Sequence, residues 1–500
     1  MKAETAPTAL LPGGEDLRDL VEPELERWRV PGLEVAVVRG DEVLFAGGFG
    51  KADVAADRPV TATTLFHHGS TGKALTALLA GVLVEEGLLE WDKPVREYLP
   101  EFRLYDEVLT SRVTLRDLLA HRTGIARHEF MWVANPSWSR AELVRRLRYL
   151  EPAQDMRTGF LYWNQGYATA GHVIGVVTGS TWEQQIRSRV LEPLGMTSAT
   201  TSVQEAEASG EFSKPYERRN GKVIETRNRE INAAAPAGQI IYCANDSARW
   251  LRFQTNTGEL DGRRLVSEET YKEMHTVQTP VAAPGPIPDE PSWGPTWAGL
   301  GLGPAVGTYR DRPMVYAAGG IDGFATFLLV MPEDGTGVMT CANVSGSSLG
   351  FAVALEITDR LLDVEPRPWL KRMREVEDQQ REELAKAPKP KVVQGTSPSH
   401  PLKGYAGEYE HPGYGLIRVT AGPIGLEFRV GELEFTGTHR HYDTWTTRYE
   451  TFDEDFPVTF VTDAEGDISE LVTPLEPSAA PIRFARLGTN ETDPAKEAPG

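Results

Sequence analysis

Early in the chain the apolar positions come in short β-rich runs. Residues 33–38 and 43–46 are such runs, and Arg39-Gly40-Asp41-Glu42 between them has the polar, glycine-containing character of a hairpin turn. The period then changes to that of a helix. Leu75, Leu78, Leu79, Val82 and Leu83 fall on helical spacing between Lys73 and Glu86, and Gly87-Leu88 ends the pattern, which predicts a nearly buried helix. Helical patterns continue from about residue 115 to 254, broken at Gly124, Pro136, Gly159, Gly179 and Pro193. Strand character returns at residues 324–331 and 338–342, joined by Pro332-Glu333-Asp334-Gly335. Strands at both ends with helices between predict an α+β domain whose antiparallel sheet is completed by distant segments.

A charged helical pattern spans residues 369–385 and gives way to a Pro-rich polar stretch from Ala387 to Ser399, the expected boundary. Beyond it, short alternating runs such as Leu416-Ile417-Arg418-Val419 fill residues 405–487 and predict a small antiparallel β-barrel. The division expected is therefore a first domain over 1–386, with a helical subdomain at about 88–254, a linker over 387–401, the barrel over 402–488 and a frayed tail over 489–500.

Composition narrows the function classes. A net charge of -20 over 500 residues opposes nucleic-acid binding, which needs clustered Lys and Arg. No apolar run has the length of a secretion signal or a membrane span, so a cytoplasmic protein without a membrane partner is expected. The two cysteines, Cys243 and Cys341, lie in apolar or small-residue surroundings and read as buried free thiols. His439 and His441 alternate along a barrel strand with no further ligand in sight, so neither a metal nor another cofactor is expected.

Three short elements carry candidate chemistry. Ser70-Thr71-Gly72-Lys73 opens the buried helix, and the i,i+3 spacing puts a hydroxyl and an amine on one face. A desolvated lysine can take the serine's proton, and a helix N-terminus offers N–H groups to an oxyanion. Solvated helix faces carry the same spacing by chance. Tyr162-Trp163-Asn164 supplies a phenol and a carboxamide able to relay a proton and orient the lysine, or else a packed aromatic pair with a helix cap. Gly319-Gly320, just before a strong strand, lets substrate approach a strand edge and offers Gly320 N–H as a second oxyanion donor, or else is an ordinary turn. Phe130, Trp132, Trp138, Trp293 and Trp297 could form an aromatic pocket or simply pack.

Taken in order, these markers resemble the serine β-lactamase and penicillin-binding-protein superfamily, in its class C, esterase and D-aminopeptidase branch. The likeness runs from about residue 33 to 362 and includes Leu118-Leu119-Ala120-His121-Arg122-Thr123-Gly124, whose role in the family is structural, and Pro193-Leu194-Gly195-Met196. The tail, from Gly404-Tyr405-Ala406-Gly407-Glu408-Tyr409 to His441-Tyr442-Asp443, resembles a lipocalin-like domain. The resemblance implies that Ser70 attacks the carbonyl, that Lys73 and Tyr162 share the proton traffic, and that Asn164 holds Lys73 and touches the substrate amide. It also implies an oxyanion hole of Ser70 and Gly320 N–H, with Gly319 and Gly320 at the substrate. One position departs. Ala317 stands where the family carries Lys or His, which weighs against penicillin recognition and D-Ala-D-Ala carboxypeptidase activity. The expected function is a serine hydrolase or transacylase acting on an amide or ester, with a small-molecule or peptide-like acyl donor and an optional amine acceptor. Amide formation or peptide cyclisation, and a non-catalytic scaffold, are the alternatives; the oligomeric state stays open.

Overall fold

A computed structural model describes residue 11 and residues 14–219, 221–281, 294–386, 391–449 and 454–488. Trp293, the first residues of the Pro-rich boundary and the tail from residue 489 lie outside the described residues.

Nine strands form one antiparallel sheet, ordered Thr279–Pro280, Thr296–Leu300, Ala305–Tyr309, Arg312–Ile321, Phe324–Met331, Thr336–Ala342, Gly32–Arg39, Glu42–Asp53, Arg58–Pro59. The two predicted hairpins thus lie side by side, and Leu33 pairs with Ala342. Strand Gly32–Arg39 is buried along all but its last residue, because helices cover both faces. On one side Leu17–Trp28, Leu349–Leu361 and Trp369–Lys386 pack over Val35, Val37 and Leu329. On the other, Gly72–Glu85 and Ala244–Thr255 pack over Ala36, Val38 and Val330. The second strand, Glu42–Asp53, outruns its predicted end at residue 46. Gly47, Gly48 and Gly50 weaken the strand pattern in the sequence, yet Gly48 is where Val60 packs closest, so that a Cβ there would meet Val60 Cγ1 at 2.2 Å.

Helix Gly72–Glu85 matches its predicted span and is nearly encased, with Leu75, Leu78, Leu79 and Leu83 at most 1% exposed. Burying each such side chain contributes on the order of 1.5–3 kcal/mol. Its N-terminal turn, Gly69–Thr71, is gripped between two glycines. A Cβ on Gly319 would lie 2.2 Å from His68 O and 3.0 Å from Ser70 N, and one on Gly238 would lie 2.8 Å from the Gly69 carbonyl carbon. Backbone contacts backbone there, and no side chain fits.

Eight strands between Gly407 and Arg486 close into an antiparallel barrel. Tyr405, Tyr409, Trp445, Phe460 and Phe484 fill its interior with almost no exposure. His439 and His441 belong to strand Leu433–His441, and among the described residues no cluster of metal ligands occurs. Cys243 and Cys341 are buried free thiols. No described helix is long and apolar enough to cross a membrane.

The grip on the Gly69–Thr71 turn is testable through Gly319→Ala. With its Cβ against His68 O, the variant is expected to lose about 1–3 kcal/mol of unfolding free energy in urea, whereas Gly320→Ala, whose Cβ meets nothing within 4 Å, should unfold close to the parent.

Candidate active site

Ser70 stands on the turn before helix Gly72–Glu85, and Lys73 one turn later points back beneath it. The Lys73 Nζ donates to Ser70 Oγ at 3.0 Å and to the Ala237 carbonyl at 2.6 Å. Tyr162 Oη donates to Ser70 Oγ at 2.7 Å. Three side chains from two distant segments therefore meet on one oxygen. Burial dominates their proton affinities. It drives Lys73 well below its ordinary range, with Glu129 opposing the fall and Arg127 adding to it. The same desolvation pushes Tyr162 up to about 12, against the Ser70 hydrogen bond and the Arg127 charge, which pull the other way. At neutral pH the phenol keeps its proton, while the amine is the group brought nearest to losing one.

The expectation that Asn164 holds Lys73 does not hold. Asn164 begins helix Asn164–Thr178, and its Nδ2 donates to Glu129 Oε1 at 2.7 Å, leaving the Ala237 carbonyl as the lysine's second partner. The cause is a carboxylate that no sequence pattern announced. Glu129 enters the cleft after the Gly124 turn and fixes the carboxamide through Nδ2, in an orientation where Oδ1, the one atom able to accept from the lysine, makes no bond to it. Asn164 Oδ1 is left buried without a partner.

Behind Tyr162 lies the segment expected to be structural. The His121 ring stacks on Tyr162 at 4.5 Å, its Nδ1 accepts from Trp163 N at 2.9 Å, and its carbonyl accepts from Leu161 N at 3.1 Å. Desolvation holds the His121 imidazole well below its usual range, so it stays neutral and acts as an acceptor. Arg122 and Arg157 both pair with the buried Asp117, at 2.6 and 2.7 Å, and fix the loop that carries His121. This signature sets the phenol's position.

The site opens into a cleft of about 340 Å³. Arg127, Glu129, Trp132 and Asn164 form one wall, and Gly320, Ile321, Asp322 and Phe324 the other, with Gly238 and Ala237 at the floor beside Ser70. Gly320 lies against Gly69, where a Cβ on Gly69 would be 3.1 Å from Gly320 N, and its own Cβ direction is open. Gly319 faces the nucleophile turn instead. Arg229 and Asp322 pair at 2.8 Å at the strand-side lip. Tyr316 turns to the far face, with its ring 5.5 Å from Phe351 and 4.4 Å from Trp297, so it brings nothing to the cleft beside Ala317. Of the candidate aromatics, Trp132 lines the cleft, while Phe130 faces the barrel interior and Trp138 lies under the Arg146 guanidinium. Arg127, Glu129, Ala237 and Gly238 were not foreseen, and only Arg127 and Glu129, as charges inside an otherwise apolar stretch, left any trace in the sequence.

Comparison with known proteins agrees with this architecture. A family described as Beta-lactamase matches residues 17–359, and one described as Domain of unknown function (DUF3471) matches residues 391–486. The chain is 30% identical over 432 residues to an unguisins hydrolase, ungD', of Aspergillus campestris, covering 82% of this chain and 78% of that one. Its fold is similar to the octameric penicillin-binding protein homologue from Pyrococcus abyssi, with a TM-score of 0.62, 21% identity, and coverage of 94% of this chain and 99% of that one. It is also similar to the D-amino acid amidase from Ochrobactrum anthropi SV3, with a TM-score of 0.58, 23% identity, and coverage of 69% and 96%. Since the first family accounts for well over half of the sequence, in the region that holds the cleft, the chain belongs to the beta-lactamase family of serine hydrolases, with a further eight-stranded barrel domain at its C-terminal side.

Proposed function

We propose that the protein is a serine acyl-enzyme hydrolase that cleaves an amide bond in a peptide-like substrate, with Ser70 as nucleophile, Lys73 as general base and Tyr162 as proton relay. The observation that carries the reading is the convergence of Lys73 Nζ at 3.0 Å and Tyr162 Oη at 2.7 Å on Ser70 Oγ, at the floor of an open cleft. Neutral Lys73 takes the Ser70 proton as Oγ bonds to the carbonyl carbon. The oxyanion forms against the Ser70 and Gly320 N–H groups. Tyr162 then passes a proton to the leaving nitrogen and is resupplied from Lys73, the C–N bond breaks, and water resolves the ester by the reverse route. Asn164 Oδ1, buried and unpartnered, is suited to accept from a substrate amide N–H. An amide is favoured over a simple ester because a D-amino acid amidase shares the fold, and hydrolysis over transfer because a relative named a hydrolase shares most of the chain's length.

Incubation with a fluorophosphonate followed by mass spectrometry is expected to give one adduct on Ser70, lost in Ser70→Ala. A folded protein that takes up no label would favour the scaffold reading, and product amides appearing only with added amine would favour transfer over hydrolysis. The pH dependence has a definite direction. Activity requires unprotonated Lys73, so kcat/KM should rise with pH along a limb lying well below the amine's ordinary 10.5, with no alkaline fall until Tyr162 ionises near 12. Lys73→Arg, which cannot lose its proton, should abolish that limb and lower kcat by roughly 10²–10⁴-fold. Penicillins should label Ser70 slowly, because Ala317 leaves the strand side of the cleft without the cation that a carboxylate needs beside Gly319. Rapid stoichiometric labelling in a time course would refute this.

A further inference from the structure

The cleft wall facing the strand is not held by the catalytic domain alone. Between Arg127 and Glu129 lies His128, in a left-handed backbone conformation with φ 44°. A non-glycine residue seldom adopts that conformation and persists in it where its surroundings enforce it. Its surroundings come from both domains. His128 N donates to Glu476 Oε2 at 2.9 Å, and its Nδ1 lies 2.7 Å from Tyr414 Oη, both barrel groups. Its carbonyl accepts from Gln165 Nε2 at 3.0 Å, on the helix that Asn164 begins. Two residues on, Phe130 enters the barrel's apolar end beside Phe428, Phe435 and Phe456. Further along, Asn135 Nδ2 donates to the Tyr414 carbonyl at 3.2 Å and Glu432 N to the Ala134 carbonyl at 3.2 Å. Glu476 and Tyr414 are themselves at most 5% exposed.

What this clamp presents to the cleft is a charge pair. The Arg127 guanidinium lies 4.8 Å from the Tyr162 ring centroid and 3.2 Å from Glu129, while Glu129 holds Asn164. Tyr162 is otherwise faced by Lys73 at 4.8 Å, by His121 at 4.5 Å and by Ser70. Tyr167 lies 5.3 Å from Lys73 Nζ. Across the cleft the strand edge from Ala317 to Gly320 carries no charge, and Arg229 there is paired with Asp322. Arg127 is thus a cation set directly against the Tyr162 ring.

We propose that the C-terminal barrel is a working part of the active site: by fixing His128 through Glu476 and Tyr414, it holds Arg127 against Tyr162, and Arg127 serves as the positioning residue that keeps Lys73 ready to accept the Ser70 proton. This rests on the acyl-enzyme reading above. Glu129 favours protonated Lys73 and is held separately by Asn164, whereas the Arg127 charge disfavours it, so loss of Arg127 from its place lets Lys73 keep its proton to higher pH. The barrel lends no side chain to the cleft lining described above. It acts through the segment that carries His128.

The experiment uses the full chain and four variants: Arg127→Ala, Glu476→Ala, Glu476→Gln and the double variant Arg127→Ala/Glu476→Ala. Each is followed by fluorophosphonate labelling of Ser70 over a pH series and by thermal unfolding. Both single alanine variants should slow labelling at pH 7 by about tenfold and move its acid limb to higher pH by the same amount. Glu476→Gln keeps an oxygen acceptor for His128 N and should restore at least half the rate. The double variant should be no slower than Arg127→Ala, because the two residues act in series. Multiplying losses, or a Glu476→Ala enzyme with an unmoved limb, would overturn the proposal. A Glu476→Ala chain that only unfolds earlier, with labelling intact below its transition, would overturn it too. A parent chain that takes no label at all would instead overturn the acyl-enzyme reading, so the two failures are distinguishable.

Discussion

A lysine amine withdrawn from water, with a hydroxyl and a carbonyl as its hydrogen-bond partners, is the constraint around which the cleft is arranged. Lys73 is 3% exposed, and burial of that kind opposes its charge more than any neighbour does. An uncompensated buried ammonium would be costly, so the site offers partial compensation: the Ala237 carbonyl, the faces of Tyr162 and Tyr167, and the Glu129 carboxylate at longer range. Arg127 offsets part of the last. The result is an amine that holds its proton less tightly than a solvated lysine does.

Holding that balance demands rigid supports, and the molecule supplies them from three directions. From below, the encased helix Gly72–Glu85 fixes Ser70 and Lys73 on consecutive turns. From the strand side, Gly319 and Gly238 bring two backbones into contact with the nucleophile turn. From behind, His121 stacks on the phenol and takes the Trp163 N–H, while Asp117 and two arginines hold the loop that His121 sits on. The wall facing the strand is held within its own domain by Asn164 and Gln165, and on its other side the barrel makes its contacts.

Much of this was readable in the chain because it is local. A hydroxyl and an amine three residues apart at the head of an apolar period, or an aromatic and a carboxamide two residues apart before a helix, are patterns one segment can express. So are the hairpins that build the sheet. Where the reading failed, the determinant was a neighbour distant in sequence. Asn164 was expected to hold Lys73, but Glu129 claims its amide from 35 positions away. Ala237 acts through its carbonyl and Gly238 through the absence of a side chain, and neither leaves a chemical mark in a sequence. The barrel was legible as alternating strands, whereas its seat on His128 depends on a carboxylate and a phenol, each more than 280 positions downstream.

The pairing of Leu33 with Ala342 bears on how such a chain comes into being. Strand Gly32–Arg39 lies inside the sheet, seventh of its nine strands, and its neighbour on one side is not made until about two thirds of the 500 residues have been synthesised. Until then the early hairpin can lean only on helices, and the glycine edge that closes over the serine does not yet exist. A nascent chain therefore carries Ser70 for most of its synthesis without the strand edge that packs against its turn, and the cleft is completed late, when the last strands zip into place.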